Sequence, residues 1–322
     1  MILTFTPNPS TDATLSVATL RRGEVARAIT ATREAGGKGV NVAHAVAKAG
    51  RAALAVVPCG ESDPFKFAAN RLGFPFVFIP VEGTIRTNTA ITESDGTTTK
   101  INELGPQYTI DVQQEFLDAL DSHISECKAV VMAGSLPSGA PADLYATLTR
   151  EIRLKLAEDV LVAVDTSDEP LVKLGDQLES AAPDILKPNA FELAQLVGAD
   201  GHVLETSASA GDYSEVVEAA KRLIQRGAKE VLVTLGGAGA CLVTADSAWA
   251  ATPPPTVVKS TVGAGDSSLA GYVMARTQRL PLDQCLQTAV AYGSAAAGLP
   301  GTGIPSPDDI NLEQTQVVEI DS

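Results

Sequence analysis

Short apolar runs alternate with longer amphipathic stretches along most of the chain. The runs "ILTFTP", "AALAVV", "KAVVMAG", "DVLVAVD", "PDILKP" and "KEVLVTLG" are rich in consecutive Val, Ile, Leu and Ala, without strict polar alternation. Runs of this kind fit strands buried on both faces. Between them, "GVNVAHAVAKAG", "DPFKFAANRLG", "DVQQEFLDALDSHISE", "PADLYATLTREIRLKLAE" and "YSEVVEAAKRLIQRG" carry apolar residues at helical spacing. The strand, helix, strand rhythm predicts an α/β fold with a mostly parallel central sheet flanked by helices.

Two segments break the rhythm. Residues 13–35 alternate polar and apolar positions with no helical stripe, and residues 84–104 read as a hairpin with "SDGT" at its turn. Together they predict a small antiparallel sheet beside the main core, either a lid over the strand ends or an ordinary surface excursion. "TPPPT" near residue 253 is a short rigid connector. Residues 1–322 are read as a single domain with the two lid segments inserted in it.

Charge and composition narrow the partners. With 322 residues, 45% of them hydrophobic, the chain can bury a large core. Lys and Arg total 24 against 39 Asp and Glu, a net charge of −15. Such an acidic surface repels nucleic acid and anionic membranes, so neither is expected as a partner, while a local basic pocket can still take a small anion. Cys59, Cys127, Cys241 and Cys285 are far apart and form no CxxC pair, which predicts buried, reduced thiols. The opening "MILTFTPNPSTD" has no basic, apolar leader pattern and no run is long enough to span a membrane, so the expected location is cytoplasmic.

Four stretches carry candidate chemistry. In "STVGAGDSSLAGYVMARTQ", Gly263, Ala264 and Gly265 precede a helical pattern, with Asp266 at its start. Backbone N–H groups of such a turn can hold an anion. Asp266 fits two jobs, capping the helix or accepting a proton from a hydroxyl. A base next to an anion hole suits phosphoryl transfer to that hydroxyl. In "AGGKGVNVAHAVAKAG", Gly37 and its neighbours free the backbone and Lys38 adds a positive charge; Val40 after "GKG" excludes a Walker A motif. In "VLVTLGGAGACLV", the glycines 236, 237 and 239 are followed by a strand-like run, not a helix, which disfavours a nicotinamide oxidoreductase. In "LKPNAFELAQLVG", Asn189 and Glu192 match a capping box, and the same pair could steer a hydrated Mg2+. Asp12 could hold a sugar hydroxyl, Arg86 and Lys100 could face an anion, and Ser135 follows a buried strand in "MAGSLPSG".

The order of "GGKGVNVAHAVAKAG", "KPNAFE" and "TVGAGDSSLAGYV" resembles the PfkB, ribokinase-like family of carbohydrate kinases over nearly the whole chain. The resemblance implies a ribokinase-like fold with a small β-sheet lid. It makes Asp266 the catalytic base, with Gly263, Ala264 and Gly265 as the anion hole. It places Asp12, Gly37, Lys38, Asn41, Arg86 and Ser135 at the substrate. It places Lys187, Asn189, Thr234, Gly236, Gly239 and Gly265 at ATP, and Asn189 and Glu192 near Mg2+. Within the family the chain is most similar to bacterial 1-phosphofructokinases and tagatose-6-phosphate kinases. That similarity implies ATP-dependent phosphorylation of fructose 1-phosphate to fructose 1,6-bisphosphate, with Lys38 and Arg86 anchoring the existing phosphate. It also implies a homodimer formed through the lid. Tagatose-6-phosphate or 6-phosphofructokinase activity, and a non-catalytic sugar-phosphate sensor, are the alternatives. Ala13 departs from the family, which usually has Arg there, so Arg27 or another lid residue is expected to replace it.

Overall fold

A computed structural model describes residues 1–320. Its strands are β1 (Ile2–Phe5), β2 (Ser10–Val17), β3 (Thr30–Gly36), β4 (Ala53–Cys59), β5 (Phe76–Pro80), β6 (Arg86–Glu93) and β7 (Thr98–Asn102) in the first third of the chain. They continue as β8 (Ala129–Ala133), β9 (Leu161–Asp165), β10 (Ile185–Leu186), β11 (Glu230–Thr234), β12 (Ala240–Val243), β13 (Ala248–Thr252) and β14 (Gln316–Ile320). The large sheet has the order β14-β13-β12-β11-β10-β9-β8-β1-β4-β5. It is parallel from β5 to β11 and antiparallel from β11 to β14.

Each parallel strand sends alternate side chains into two different cores. Leu3, Phe5, Val130, Met132, Val162 and Val164 join one. Ile2, Ala129, Val131 and Ala163 join the other, with Val42, Leu269 and Leu286 from the helices Lys38–Lys48, Ala264–Thr277 and Leu282–Ala297. Both faces are therefore dry, which is why these strands read as unbroken apolar runs. Sequence patterning did not isolate β5, the helices Asp168–Asp176, Gly201–Ser209 and Leu282–Ala297, or the division of "ACLVTADSAW" into β12 and β13. The acidic tail contributes β14, which pairs with β13 at the sheet edge. Among the described residues no helix is long and apolar enough to cross a membrane.

A second sheet, in the order β3-β2-β6-β7, is built from the two segments that broke the rhythm. The expected hairpin is there: β6 and β7 are antiparallel, Gly96 takes φ 91°, and the Asp95 carboxylate accepts the Thr97 N–H at 2.9 Å. Its centre differs from the expectation, because β2 and β6 run parallel. β2 follows β1 and β6 follows β5, and those two strands point the same way in the large sheet, so both excursions leave it in one direction. β2 also starts earlier than expected, at Ser10, which puts Asp12 inside a lid strand and not in a loop.

Candidate active site

Two glycine turns bring the candidates together. Gly37 (φ 114°) caps the helix Lys38–Lys48, and Gly263 (φ 79°) caps the helix Ala264–Thr277; both angles favour glycine. Gly37 and Gly39 also lie so close to Thr6 and the Phe5 carbonyl that a side chain would collide with them. Asp266 is the third residue of its helix and does not cap it; no side chain does. Its carboxylate is 7% exposed and accepts a 2.8 Å hydrogen bond from the Asn41 side-chain amide. Gly265 and Asp266 supply first-turn N–H groups, which a helix leaves without intrahelical partners.

Three more charges converge here. Asp165 ends β9 and is 1% exposed. Lys38 Nζ sits 2.7 Å from Asp165 Oδ1, and Lys187 Nζ lies 3.0 Å from Oδ2, an ion pair at a poor hydrogen-bond angle. Lys187 is itself 4% exposed, and its Nζ is 3.5 Å from where a Cβ on Gly265 would stand, so a buried cation lies beside the glycine turn. Burial would raise the Asp165 carboxyl, but Lys187 and Lys38 outweigh it and hold it below the usual range. Burial also works against a charged Lys38, but Asp165 and Asp266 overcome it and raise the ammonium. Asp266 is pushed up to about 6, chiefly by burial and then by Asp165, against the opposing pull of Lys38, Asn41 and Lys187.

Asn189 and Glu192 form the expected capping box on helix Ala190–Val197. Asn189 Oδ1 accepts the Glu192 N–H at 2.9 Å, and Glu192 Oε2 accepts the Asn189 N–H at 2.8 Å. Glu192 is raised by burial and drawn down by Lys187 and Lys38. Asn189 spends its side-chain oxygen on the cap, and Glu192 keeps one carboxylate oxygen outside the capping bonds, the donor left for a metal. Both Asp165 oxygens face lysines, and no group of three metal-binding side chains occurs among the described residues. A single carboxylate suits a largely hydrated Mg2+ held mainly by nucleotide phosphates.

The lid supplies the other wall. Asp12 accepts from Ser10 Oγ at 2.7 Å and from Asn88 Nδ2 at 3.3 Å. Burial raises its carboxyl, against Ser10, Asn88 and Arg86. Gly36 lies under it, since a Cβ there would overlap the carboxylate. Arg86 donates to the Asn8 carbonyl at 3.2 Å, and Asn8 Nδ2 reaches Ser135 Oγ at 3.4 Å. Arg86 Nε, Asn8 Oδ1, Asn88 Oδ1 and Thr6 Oγ1 are buried without a hydrogen-bond partner. Buried polar atoms seldom stay unpaired, and a ligand bearing hydroxyl and anionic oxygens would satisfy this row. Lys100 is on exposed β7, and Arg27 lies in the exposed connection between β2 and β3.

At the far end, the glycine turn 236–238 joins β11 to antiparallel β12, as expected from the missing helix. Thr234 bridges to Asn189, which brings this turn beside the capping box. Gly239 (φ 92°) has no room for a Cβ because the Ala251 carbonyl occupies that space. Pro253 also packs against Gly239, and the segment after it lines a cavity of about 390 Å³ with Pro254, Thr256, Lys259, Ser294, Gly298 and Asn311. The Lys259 and Ser260 N–H groups donate to Ala297 O at 2.8 and 3.3 Å, and residues 261–262 then lead into the turn at Gly263.

Sequence reasoning missed Asp165, Asn8 and Asn88. Asp165 had a signal: it is the charged residue closing the apolar run "DVLVAVD", and ligands of parallel sheets gather at the carboxyl ends of strands. The two asparagines had none, because their burial arises only when the lid docks.

Comparison with known proteins identifies the family. Residues 8–309 match the model of the pfkB family carbohydrate kinases. The 1-phosphofructokinase of Haloferax volcanii is 35% identical, over 98% of this chain and 97% of that protein. The Escherichia coli K12 protein of the same name is 31% identical, over 94% and 93%. The phosphofructokinase-2 of Escherichia coli in complex with fructose-6-phosphate superposes with a TM-score of 0.80 at 26% identity, over 96% of each chain. Arabidopsis thaliana ribokinase complexed with ribose and ATP shares the fold, with a TM-score of 0.74 at 21% identity over 96% of each chain. With its family motifs gathered around one buried carboxylate, the chain belongs to the pfkB carbohydrate kinases, phosphotransferases that act on a hydroxyl group.

Proposed function

We propose that the chain transfers the γ-phosphoryl group of ATP to the free primary hydroxyl of fructose 1-phosphate, giving fructose 1,6-bisphosphate. The observation that carries this reading is the buried Asp266, held by Asn41 in the first turn of a helix whose Gly265 lies beside the buried Lys187. Asp266 takes the hydroxyl proton as that oxygen attacks the γ-phosphorus. The bond from the γ-phosphorus to the bridging oxygen breaks, and ADP leaves. Charge on the transferring group is met by the N–H groups of residues 263–266 and by Lys187.

Arg86 anchors the phosphate already on the sugar, with Asp12, Asn8 and Ser135 on its hydroxyls. Lys38, paired with Asp165 beside the base, serves the reacting end more than the remote phosphate. The cavity beside Thr256 and Ser294 takes the nucleoside, with Thr234, Gly236 and Gly239 lining the approach. Glu192 would hold Mg2+ through its water shell, and the ion would neutralise the nucleotide phosphates when bound. The lid also presents Val25, Ile29, Ile101 and Leu104 to solvent, at 85, 69, 57 and 82% exposure, which supports a homodimer through this sheet. Light scattering of the purified chain tests that assembly.

A second reading, fructose 6-phosphate as acceptor, is favoured by the likeness to phosphofructokinase-2 in complex with that sugar. ADP release with Mg·ATP separates the two over a panel of fructose 1-phosphate, fructose 6-phosphate, tagatose 6-phosphate and ribose. A kcat/KM for fructose 1-phosphate about a hundredfold above the others is expected, roughly 2.7 kcal/mol of transition-state discrimination. A preference for another sugar phosphate overturns the substrate assignment, and preference for ribose overturns the phosphate anchor.

A further inference from the structure

Asp165 stands between two lysines, paired with Lys38 through one carboxylate oxygen and with Lys187 through the other. It is 1% exposed, at the end of the central strand β9, and its backbone carbonyl accepts the Gly134 N–H at 2.9 Å, so it cannot easily move. Lys187 is as deeply buried, with 4% exposure. Burying an unpaired cation is costly, and Asp165 is the partner that Lys187 has. The same counter-charge has a second consequence. Lys38 and Lys187 both act on Asp266, and two unopposed cations would turn it into a strongly ionised, weakly basic carboxylate. A general base works best when its proton affinity lies near the working pH.

We propose that Asp165 is a positioning residue that offsets the positive charge of the Lys38–Lys187 pair, so that Asp266 stays basic enough to take the hydroxyl proton. The proposal rests on the reading of Asp266 as the base. The groups facing Asp266 are Lys38 and Asn41 from the helix Lys38–Lys48, Asp165 from β9, and Lys187 from the segment after β10. Burial and Asp165 raise its proton affinity; Lys38, Asn41 and Lys187 lower it.

The test is a carboxyl-carbon NMR titration of Asp266 in the full-length protein, assigned by the signal lost in D266N, and run without substrate. In the wild type the midpoint is expected near 6. In D165N, close to isosteric, it should move down by about one pH unit or more, and the acid limb of kcat/KM should move with it while the plateau falls. K38Q, at a side chain 33% exposed, should move the midpoint the opposite way. That second variant keeps the test decisive if D165N does not fold. Midpoints that stay in place in the variants that fold overturn the proposal. A chain that shows both shifts but turns over no sugar phosphate would sink the proposed activity and leave the charge balance standing.

Discussion

Replacing Asp266 by Asn separates its catalytic role from its structural cost. The carboxylate is 7% exposed and its proton affinity is raised from 3.8 to about 6. At pH 8 the wild type therefore carries a buried charge that the fold disfavours by about 2 pH units of binding, or about 3 kcal/mol. Because the folded-state value is the higher one, the folded protein holds the extra proton between about pH 4 and 6. This group's contribution to stability is thus present at low pH and lost as pH rises through that window. Asn resembles the protonated form and can still accept from Asn41. D266N should match the wild type near pH 4 and exceed it by about 3 kcal/mol at pH 8. With an unfolding entropy of about 2.1 cal/mol/K per residue, that is a rise of about 4 °C in Tm. Turnover should fall by about 10²- to 10⁴-fold. Scanning calorimetry across pH, with initial rates on the same samples, reads both. A D266N protein that is less stable than wild type at pH 8, or near-normal in rate, would refute the reasoning.

Other substitutions probe the surrounding parts. E192Q preserves the capping box, since Gln serves at that position, so Tm should hold while the Mg2+ concentration for half-maximal rate rises about tenfold; an unchanged Mg2+ titration would reduce Glu192 to a cap. Asp63 accepts the Phe65 N–H at 2.8 Å and the Ile85 N–H at 2.6 Å, next to Arg86. D63A leaves both donors unpaired and should cost about 3 kcal/mol or more in denaturant unfolding, with KM for the sugar phosphate rising more than KM for ATP. G239A forces a side chain onto the Ala251 carbonyl at φ 92°; a loss of about 3 kcal/mol or more is expected, with KM for ATP affected before KM for the sugar.

Much of this molecule could be read from its residues. The unbroken Val, Ile and Leu runs identified most of the parallel strands, because a strand buried on both faces needs apolar side chains at every position. Asp95-Gly96 located the lid hairpin, because its turn needs positive φ and a side-chain acceptor. Local chemistry also marked Gly37, Lys38, Gly263 and Asp266. Whether Asp266 capped its helix or faced a ligand was not local. That depended on Gly263 taking the cap position and on Asn41, 225 residues away, meeting the carboxylate. Lys38 looked like a free cation until β9 brought Asp165 beside it. The parallel pairing of β2 with β6 follows from the direction of strands elsewhere in the chain. Asn8 and Asn88 became site candidates only once the lid had buried them. Sequence alone determined which residues can turn, cap, bury or carry charge, since those properties belong to each residue and its neighbours. Tertiary structure decided which charges meet and which are cancelled, because electrostatic work depends on distance and exclusion of water across elements far apart in the chain.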